Sequence, residues 1–494
     1  MPGLVRFEES MMAGRILLLL GLVFLLQSVA QGEKQVVLFG GGSEINNSQA
    51  SIELNSHWIL DILQRRAPAT SVHLLYSDGN AAQADVRGWR PVSSEKDRFH
   101  AIARVFGKQF RNGFFYYNSH IGAEVAPADA KTVTETLQRV FKNAAPMDDI
   151  TLIYQGHGGL SVHDTNRNYL QLWGETRISA LELEKLMSQA DPKATIRFVL
   201  PQCYSGAFTR LIYHNLTPMN SLAEGTRCGF VAQREDKESE GCTDSIDTGD
   251  YRDYSTYFFS ALDGKTRNHA PLAQNADWNG DGRVTFREAH LYTLANAFSV
   301  DFSRSTSETY LQAWQPWYLR WLPSTQRPDN VYSRVAQQIE KRVELNTEGG
   351  FFRSGILVRI GELETALSAY QQEQTTLESR VKKTQHLLQR QLYLRWPALS
   401  SPYTDGFRKL SEKDYRAIRQ AIETHPKYET LKQQQDRIFA LKKKTLHLRR
   451  EIVQFRKIIR MRHMARLYEQ FQRYANGHDK SEFQRLLSCE DGTL

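Results

Sequence analysis

At 494 residues the chain is too long for one ordinary domain and has ample sequence to bury a core. A hydrophobic fraction of 41% and a charged fraction of 24% exclude a chain disordered throughout, and a formal charge of +8 is modest for this size. The cysteines, Cys203, Cys228, Cys242 and Cys489, are far too sparse for a disulfide-built scaffold.

The N-terminus reads as an address. The apolar run Ile16 to Leu26 follows Arg15 and is followed by Ser28-Val29-Ala30, the pattern of a signal peptide over residues 1–30 cut after Ala30. The run is short for a membrane span, so an anchor at residues 16–26 is the lesser alternative. Glu8 and Glu9 suit a signal poorly, and a start at Met11 or Met12 would give a cleaner one. The mature chain is expected to be secreted or periplasmic.

From there to about residue 300, apolar runs alternate with helical patterns, which predicts an α/β domain with a mainly parallel sheet. Gln35–Phe39 reads as a first strand ending in Gly40-Gly41-Gly42, followed by a helix through Ile52–Gln64 and a strand at Val72–Tyr76. Residues 78–120 read as an insertion with one helix near 97–110. Pro127 to Phe141 predicts a helix with proline at its start and Val133, Leu137 and Phe141 on one face. Asp149–Gln155 is a strand leading into Gly156-His157-Gly158-Gly159. A helix through Ala180–Gln189 precedes the strand Thr195–Leu200, which leads into Pro201-Gln202-Cys203-Tyr204-Ser205-Gly206, and Cys228–Ala232 is a further short strand.

Beyond residue 330 glycine almost vanishes and Gln, Glu, Arg, Lys and Leu dominate. Ile356, Ile360, Leu363, Leu367, Tyr370, Gln374, Leu377, Val381, Thr384 and Leu388 follow the 4-3 spacing of a coiled-coil seam. A second seam runs from Leu431 through Ile438, Leu441, Thr445 and Ile452 to Ile459. Pro397, Pro402 and Pro426 force a turn between them, which predicts an antiparallel coiled-coil hairpin within a helical region at 330–494.

In open α/β sheets, sites lie beyond the carboxyl ends of strands. His157 and Cys203 both sit there, each directly after a predicted strand and each beside glycine. A thiol needs a base to become a nucleophile, and acyl transfer needs backbone N–H groups facing the developing oxyanion. Small residues at Gly158, Gly159 and Gly206 let the main chain approach a scissile carbonyl. The pattern therefore points to His157 as base, Cys203 as nucleophile, and the amides of Gly158 and Cys203 as oxyanion hole.

These segments resemble a known family. Tyr154-Gln155-Gly156-His157-Gly158-Gly159 is similar to the D-H-G-G segment of legumains, the caspase-like asparaginyl endopeptidases. Phe198 through Gly206 resembles their E-A-C-E-S-G and the D-S-C-H-S-G of metacaspases, and Gly122-Ala123-Glu124-Val125-Ala126-Pro127 resembles the legumain segment before the His strand. The order, histidine first, resembles caspases and reverses that of papain. The resemblance spans roughly residues 33–300 of a catalytic domain at 33–325, as in a bacterial-type relative, and does not reach the helical region. It implies a caspase–haemoglobinase α/β/α sandwich and a secreted cysteine endopeptidase working through a thioester on protein or peptide substrates, with no third catalytic residue and no organic cofactor. The alternatives are a transamidase with the same dyad, or an inactive scaffold presenting the coiled coil.

The departures are specific. Where legumains and metacaspases carry an acidic residue two before the cysteine, this chain has Pro201, which leaves P1 specificity open. Substrate-binding candidates follow the Cys228 strand: Asp236 could hold a basic P1 side chain, Arg234 an acidic one, and Glu235 lies between them. Cys228 and Cys242 bracket that loop and are a candidate disulfide in an oxidising compartment, with two free thiols as the alternative. Asp277, Asn279, Asp281, Arg283 (through its carbonyl), Thr285 and Glu288 fit the calcium-loop spacing with a turn glycine at Gly280; a plain Asp/Gly turn is the alternative.

The second seam helix is strongly basic, from Lys442-Lys443-Lys444 through Arg449, Arg450, Arg456, Lys457, Arg460, Arg462 and Arg466. This suggests an acidic partner, an anionic membrane surface or the catalytic domain itself rather than nucleic acid. Asn46 and Asn215 are glycosylation acceptors only in a host that glycosylates exported proteins.

Overall fold

Runs rich in Val, Ile, Leu and Phe between glycine-rich turns can bury both faces of a strand, and such strands pair in parallel under covering helices. The computed structural model, describing residues 32–90, 99–107, 110, 113–218, 221–318, 328–344 and 352–494, shows this arrangement. In chain order it contains β1 (Lys34–Gly41), α1 (Ala50–Arg66), β2 (Ser71–Tyr76), β3 (Val86–Trp89), α2 (His100–Phe106), β4 (Phe114–Tyr117), α3 (Ala130–Lys142) and β5 (Asp149–Gly156). There follow β6 (Gly158–Gly159), β7 (Tyr169–Leu172), β8 (Thr176–Ser179), α4 (Ala180–Met187), β9 (Thr195–Leu200), β10 (Thr226–Val231), α5 (Tyr254–Asp263), α6 (Phe286–Asn296), β11 (Arg304–Ser305) and α7 (Thr306–Trp314). The expected signal peptide lies outside the described residues.

The main sheet has the order β11-β10-β9-β5-β1-β2, parallel throughout except for β11. Alternation along the strands divides the core. Val37, Phe39, Leu152, Tyr154, Phe198 and Leu200 pack with residues of α3 and α4 on one face. Val36, Leu38, Ile153, Val199 and Phe230 pack with α1, α5 and α6 on the other. The inserted segment forms the β3–β4 hairpin and α2. One boundary differs from expectation: α3 starts at Ala130, not at Pro127. Asp129 is the cap, accepting the amides of Lys131 and Thr132, while Ala126 just before Pro127 still bridges Leu75 of β2.

The helical region comprises α8 (Val331–Arg342), α9 (Phe352–Arg395), α10 (Asp405–Arg408), α11 (Glu412–Glu423), α12 (Tyr428–Tyr474) and α13 (Gly477–Glu490). Arg437 pairs with Glu373 and Arg456 with Glu364, so α9 and α12 run antiparallel. The two seams are their buried faces, with Leu363, Val381 and Leu388 facing the set that includes Leu431, Leu441 and Ile452. This hairpin is held at both ends. Its base shares a core with α6, α7 and α8, and its tip encloses Ile102, Val105 and Phe106 of α2.

The chain then returns to the sheet. Glu490 accepts the Ser307 amide at 2.7 Å and the hydroxyls of Thr306 and Ser307, capping α7, and Lys34 reaches the carbonyls of Thr493 and Leu494. The disulfide joins Cys228 to Cys489, a separation of 261 residues, and not to Cys242, which is a free, exposed thiol. The reason is position: Cys228 is fully buried within β10, against which α13 packs, whereas Cys242 lies in the loop beyond that strand.

Candidate active site

The strand order dictates where a site can form. From β1 the chain moves outward to β2 and then crosses back to β5, so the loops after β1 and β5 diverge and leave a crevice at their carboxyl ends. His157 follows β5, and the loop after β1 supplies its partners. Its Nε2 lies 2.8 Å from the Asn47 carbonyl and 2.8 Å from Gln49 Oε1. A carbonyl can only accept, so Nε2 carries the proton and Nδ1 keeps its lone pair. Burial pushes the imidazole below its ordinary 6.5, opposed by the Asn47 hydrogen bond, which leaves it neutral and basic at neutral pH. From the other side, the Tyr154 hydroxyl donates to the carbonyls of His157 (2.8 Å) and Gln171 (2.5 Å), fixing the turn.

Cys203 follows β9, the strand beside β5. The two loops touch: a Cβ on Gly158 would stand 2.0 Å from the Cys203 carbonyl oxygen, so only glycine permits the approach. Tyr204 takes a left-handed backbone, φ 58°, unusual for a side chain of its size and of the kind found where function imposes geometry. Its amide donates to the Lys237 carbonyl at 2.8 Å. Gly206 lies where a Cβ would meet the Glu235 amide at 2.4 Å, so the loop after β10 packs on the turn bearing the thiol.

The sulfur itself accepts the Ser239 amide at 3.3 Å and lies 3.6 Å from the Ser239 hydroxyl. Burial pushes the thiol above its ordinary value, the two Ser239 hydrogen bonds pull it down, and Glu238 and Asp301 push it up again. Burial thus lowers the imidazole and raises the thiol, so each favours its neutral form.

Of the substrate-binding candidates, Arg234 and Asp236 bind each other at 3.0 Å, which neutralises both charges at the surface. The Glu235 carbonyl takes a 2.9 Å hydrogen bond from Asn168. Sequence reasoning missed Asn47, Gln49 and Ser239: Asn47 acts through its backbone carbonyl and Ser239 through its amide, and Gln49 is an ordinary polar residue whose role depends on loops meeting across the fold.

The calcium-loop residues form a closed turn far along the chain from this site. Asp277 accepts the amides of Gly280 (2.6 Å) and Gly282 (2.9 Å), and Asp281 that of Arg283 (2.8 Å). Glu288 accepts the amides of Trp278 and Asn279 and completes a capping box with Thr285 at the start of α6. Among the described residues no group of three or more His, Cys, Asp or Glu side chains converges on a metal position. The donor types suit calcium, and the same groups also serve the turn and the cap.

No protein-family model matches the chain, and no curated protein matches it. Among solved structures it is similar to protein GSU0716 from Geobacter sulfurreducens, at 10% identity and a TM-score of 0.33, over 55% of this chain and 92% of that one.

Proposed function

We propose that this chain is a cysteine endopeptidase of the legumain/caspase kind, with a caspase-like α/β/α domain, exported by its N-terminal segment. One observation carries the reading: the Gly158–Cys203 contact brings the turn of a half-buried, oriented, neutral histidine against the turn of a free thiol at the crevice where such a sheet binds ligands. A five-stranded parallel sheet ending in one antiparallel strand, with helices on both faces, supports the fold assignment.

In this mechanism His157 Nδ1 takes the thiol proton as Cys203 Sγ attacks the scissile carbonyl carbon. The oxyanion is received by the amides of Gly158 and Cys203. Collapse breaks the C–N bond, the imidazolium gives its proton to the leaving amine, and a thioester remains for water to hydrolyse. If an added amine competes with water for the thioester, the enzyme is a transamidase. The P1 preference is set beside a loop whose Arg234–Asp236 pair must open before either charge meets a substrate. Calcium, if bound at Asp277, Asn279, Asp281, the Arg283 carbonyl, Thr285 and Glu288, would rigidify the start of α6. A peptide-library cleavage profile, with and without calcium and with an acylating thiol probe, tests the reading. Cleavage products and probe labelling at Cys203 support it, and a folded protein showing neither overturns it.

The basic face of α12 divides between two partners. Arg450, Arg460 and Arg462 bind Glu240, Glu308 and Glu340, so the acidic partner expected for much of this helix is the chain itself. Lys443 and Lys444 lie on aromatic rings at the exposed middle, and this part remains the candidate surface for an acidic partner or anionic membrane.

A further inference from the structure

The loop that contacts the Cys203 sulfur is itself held by α12. Ser239, whose amide faces the Cys203 sulfur, precedes Glu240, and Glu240 is fixed from three directions. Its amide donates to Asp301 Oδ1 at 2.7 Å, its Oε2 accepts the Val300 amide at 3.0 Å, and its carboxylate pairs with the Arg450 guanidinium of α12. The other end of the loop rests on the same segment, because Gln233 Nε2 donates to the carbonyls of Glu238 (3.0 Å) and Val300 (3.1 Å). Arg450, Lys457 and Arg460 follow helical spacing along α12. Lys457 is buried with Nζ 3.5 Å from the Ala297 carbonyl, and Arg460 donates to the Ser303 carbonyl at 2.5 Å while pairing with Glu308. The helix therefore braces the chain from 297 to 308 and, through it and Glu240, the residue touching the thiol.

We propose that Arg450 and Glu240 form a clamp by which α12 sets the Ser239 amide against the Cys203 sulfur, making them positioning residues for the reaction and the helical region a built-in part of the catalytic unit. This rests on the peptidase reading for its consequence in turnover, but not for the clamp itself. Truncation is no test, since Cys489, Glu490 and the C-terminal residues complete the core. Point variants are.

In a Cys242→Ser background Cys203 is the one free cysteine, so its alkylation by iodoacetamide can be followed against pH. Arg450→Ala should move the midpoint upward by roughly one unit as the thiolate loses its amide donor, slowing alkylation near neutral pH by about tenfold. Arg450→Lys should restore most of it. Glu240→Gln keeps the backbone contacts and removes only the ion pair, and should behave like Arg450→Ala; it decides the matter if the latter does not fold. Folded Arg450→Ala and Glu240→Gln proteins with wild-type alkylation profiles would overturn the clamp, even if their melting temperatures fall. Where peptide turnover is present, kcat should drop with KM held. A shifted alkylation profile in a protein that cleaves no peptide would keep the clamp and refute the peptidase reading.

Discussion

The two ends of the main sheet are both rich in polar groups, and they treat them oppositely. At the amino end almost every such group is committed. Arg197 donates to Asp149 (2.8 Å), to Thr151 (3.3 Å) and to the Cys489 carbonyl (2.9 Å), while Asp148 accepts the amides of Glu33 and Ala145 at 2.8 Å each. At the carboxyl end Tyr204 is left-handed, Cys203 is a free thiol, and the buried side-chain polar atoms of Gln202, with the Tyr76 hydroxyl and Asp301 Oδ2, have no partner among the described residues. Satisfied buried polar groups hold a fold in one arrangement, whereas unsatisfied groups and backbone strain persist where function requires them. Under the peptidase proposal the contrast assigns stability to one end and chemistry to the other, and each half can be attacked separately.

The largest effect should come from the chemical edge. Cys203→Ala and His157→Ala should each lower peptide turnover by about 10²–10⁴-fold or more, with melting temperatures close to wild type. Wild-type cleavage by the Cys203→Ala protein would sink the mechanism. A large loss of stability in both variants would instead erase the contrast between the edges.

The converse should hold at the amino edge. Cys489→Ser opens a closed loop of 261 residues, and loss of such a bond costs about 2–5 kcal/mol. Arg197→Met breaks a buried pair and should cost about 3–5 kcal/mol, less where water reaches the half-exposed Asp149. Denaturant melts should show both losses, while kcat per folded molecule stays near wild type. An altered pH profile in either variant would mean that the edges are coupled.

How much of this was legible depended on whether the signal was local. Thr195–Leu200 could be read to the residue because an apolar strand ending in Pro is a local pattern, and the two heptad seams emerged as buried faces for the same reason. The placement of His157 and Cys203 just beyond adjacent strands was legible because strand ends and glycines mark it. The partners of Cys228, His157 and Arg450 were not, since each contact joins segments far apart in the chain. Cys242 lies nearer to Cys228 in sequence than Cys489 does, but strand burial and the return of α13 decide the pairing. The basic run on α12 could not reveal which of its charges meet carboxylates from α7, α8 and the loop after β10.

A smaller effect should appear at Gln49. Activity needs the neutral imidazole, so kcat/KM should rise as pH increases through the pKa of His157, which lies below 6.5, and then level off. Gln49→Ala removes one acceptor from Nε2–H. That acceptor favours the imidazolium, so its loss should move the acid limb to still lower pH, with kcat falling by roughly tenfold through looser orientation of the ring. An unmoved limb would leave the Asn47 carbonyl as the group that fixes the tautomer.

The smallest effect should come from the middle of α12, where Lys442 pairs with Glu378 and the two lysines after it have only exposed contacts with rings. Lys443 Nζ lies 4.7 Å from the Phe439 ring centre and Lys444 Nζ 5.6 Å from that of Tyr370. Exposed contacts of this kind contribute about 0.5–1 kcal/mol at most. Lys443→Ala with Lys444→Ala should therefore change stability by roughly 1 kcal/mol or less and leave small-peptide turnover intact. Lys457, on the same helix, has its long side chain enclosed, and Lys457→Ala should cost several times more through lost packing and an uncovered Asp301. Measured side by side, the two substitutions separate charge that builds the protein from charge that is free to meet a partner. Equal losses would show that the middle of the hairpin is held as firmly as its base, and would remove it as a candidate docking surface.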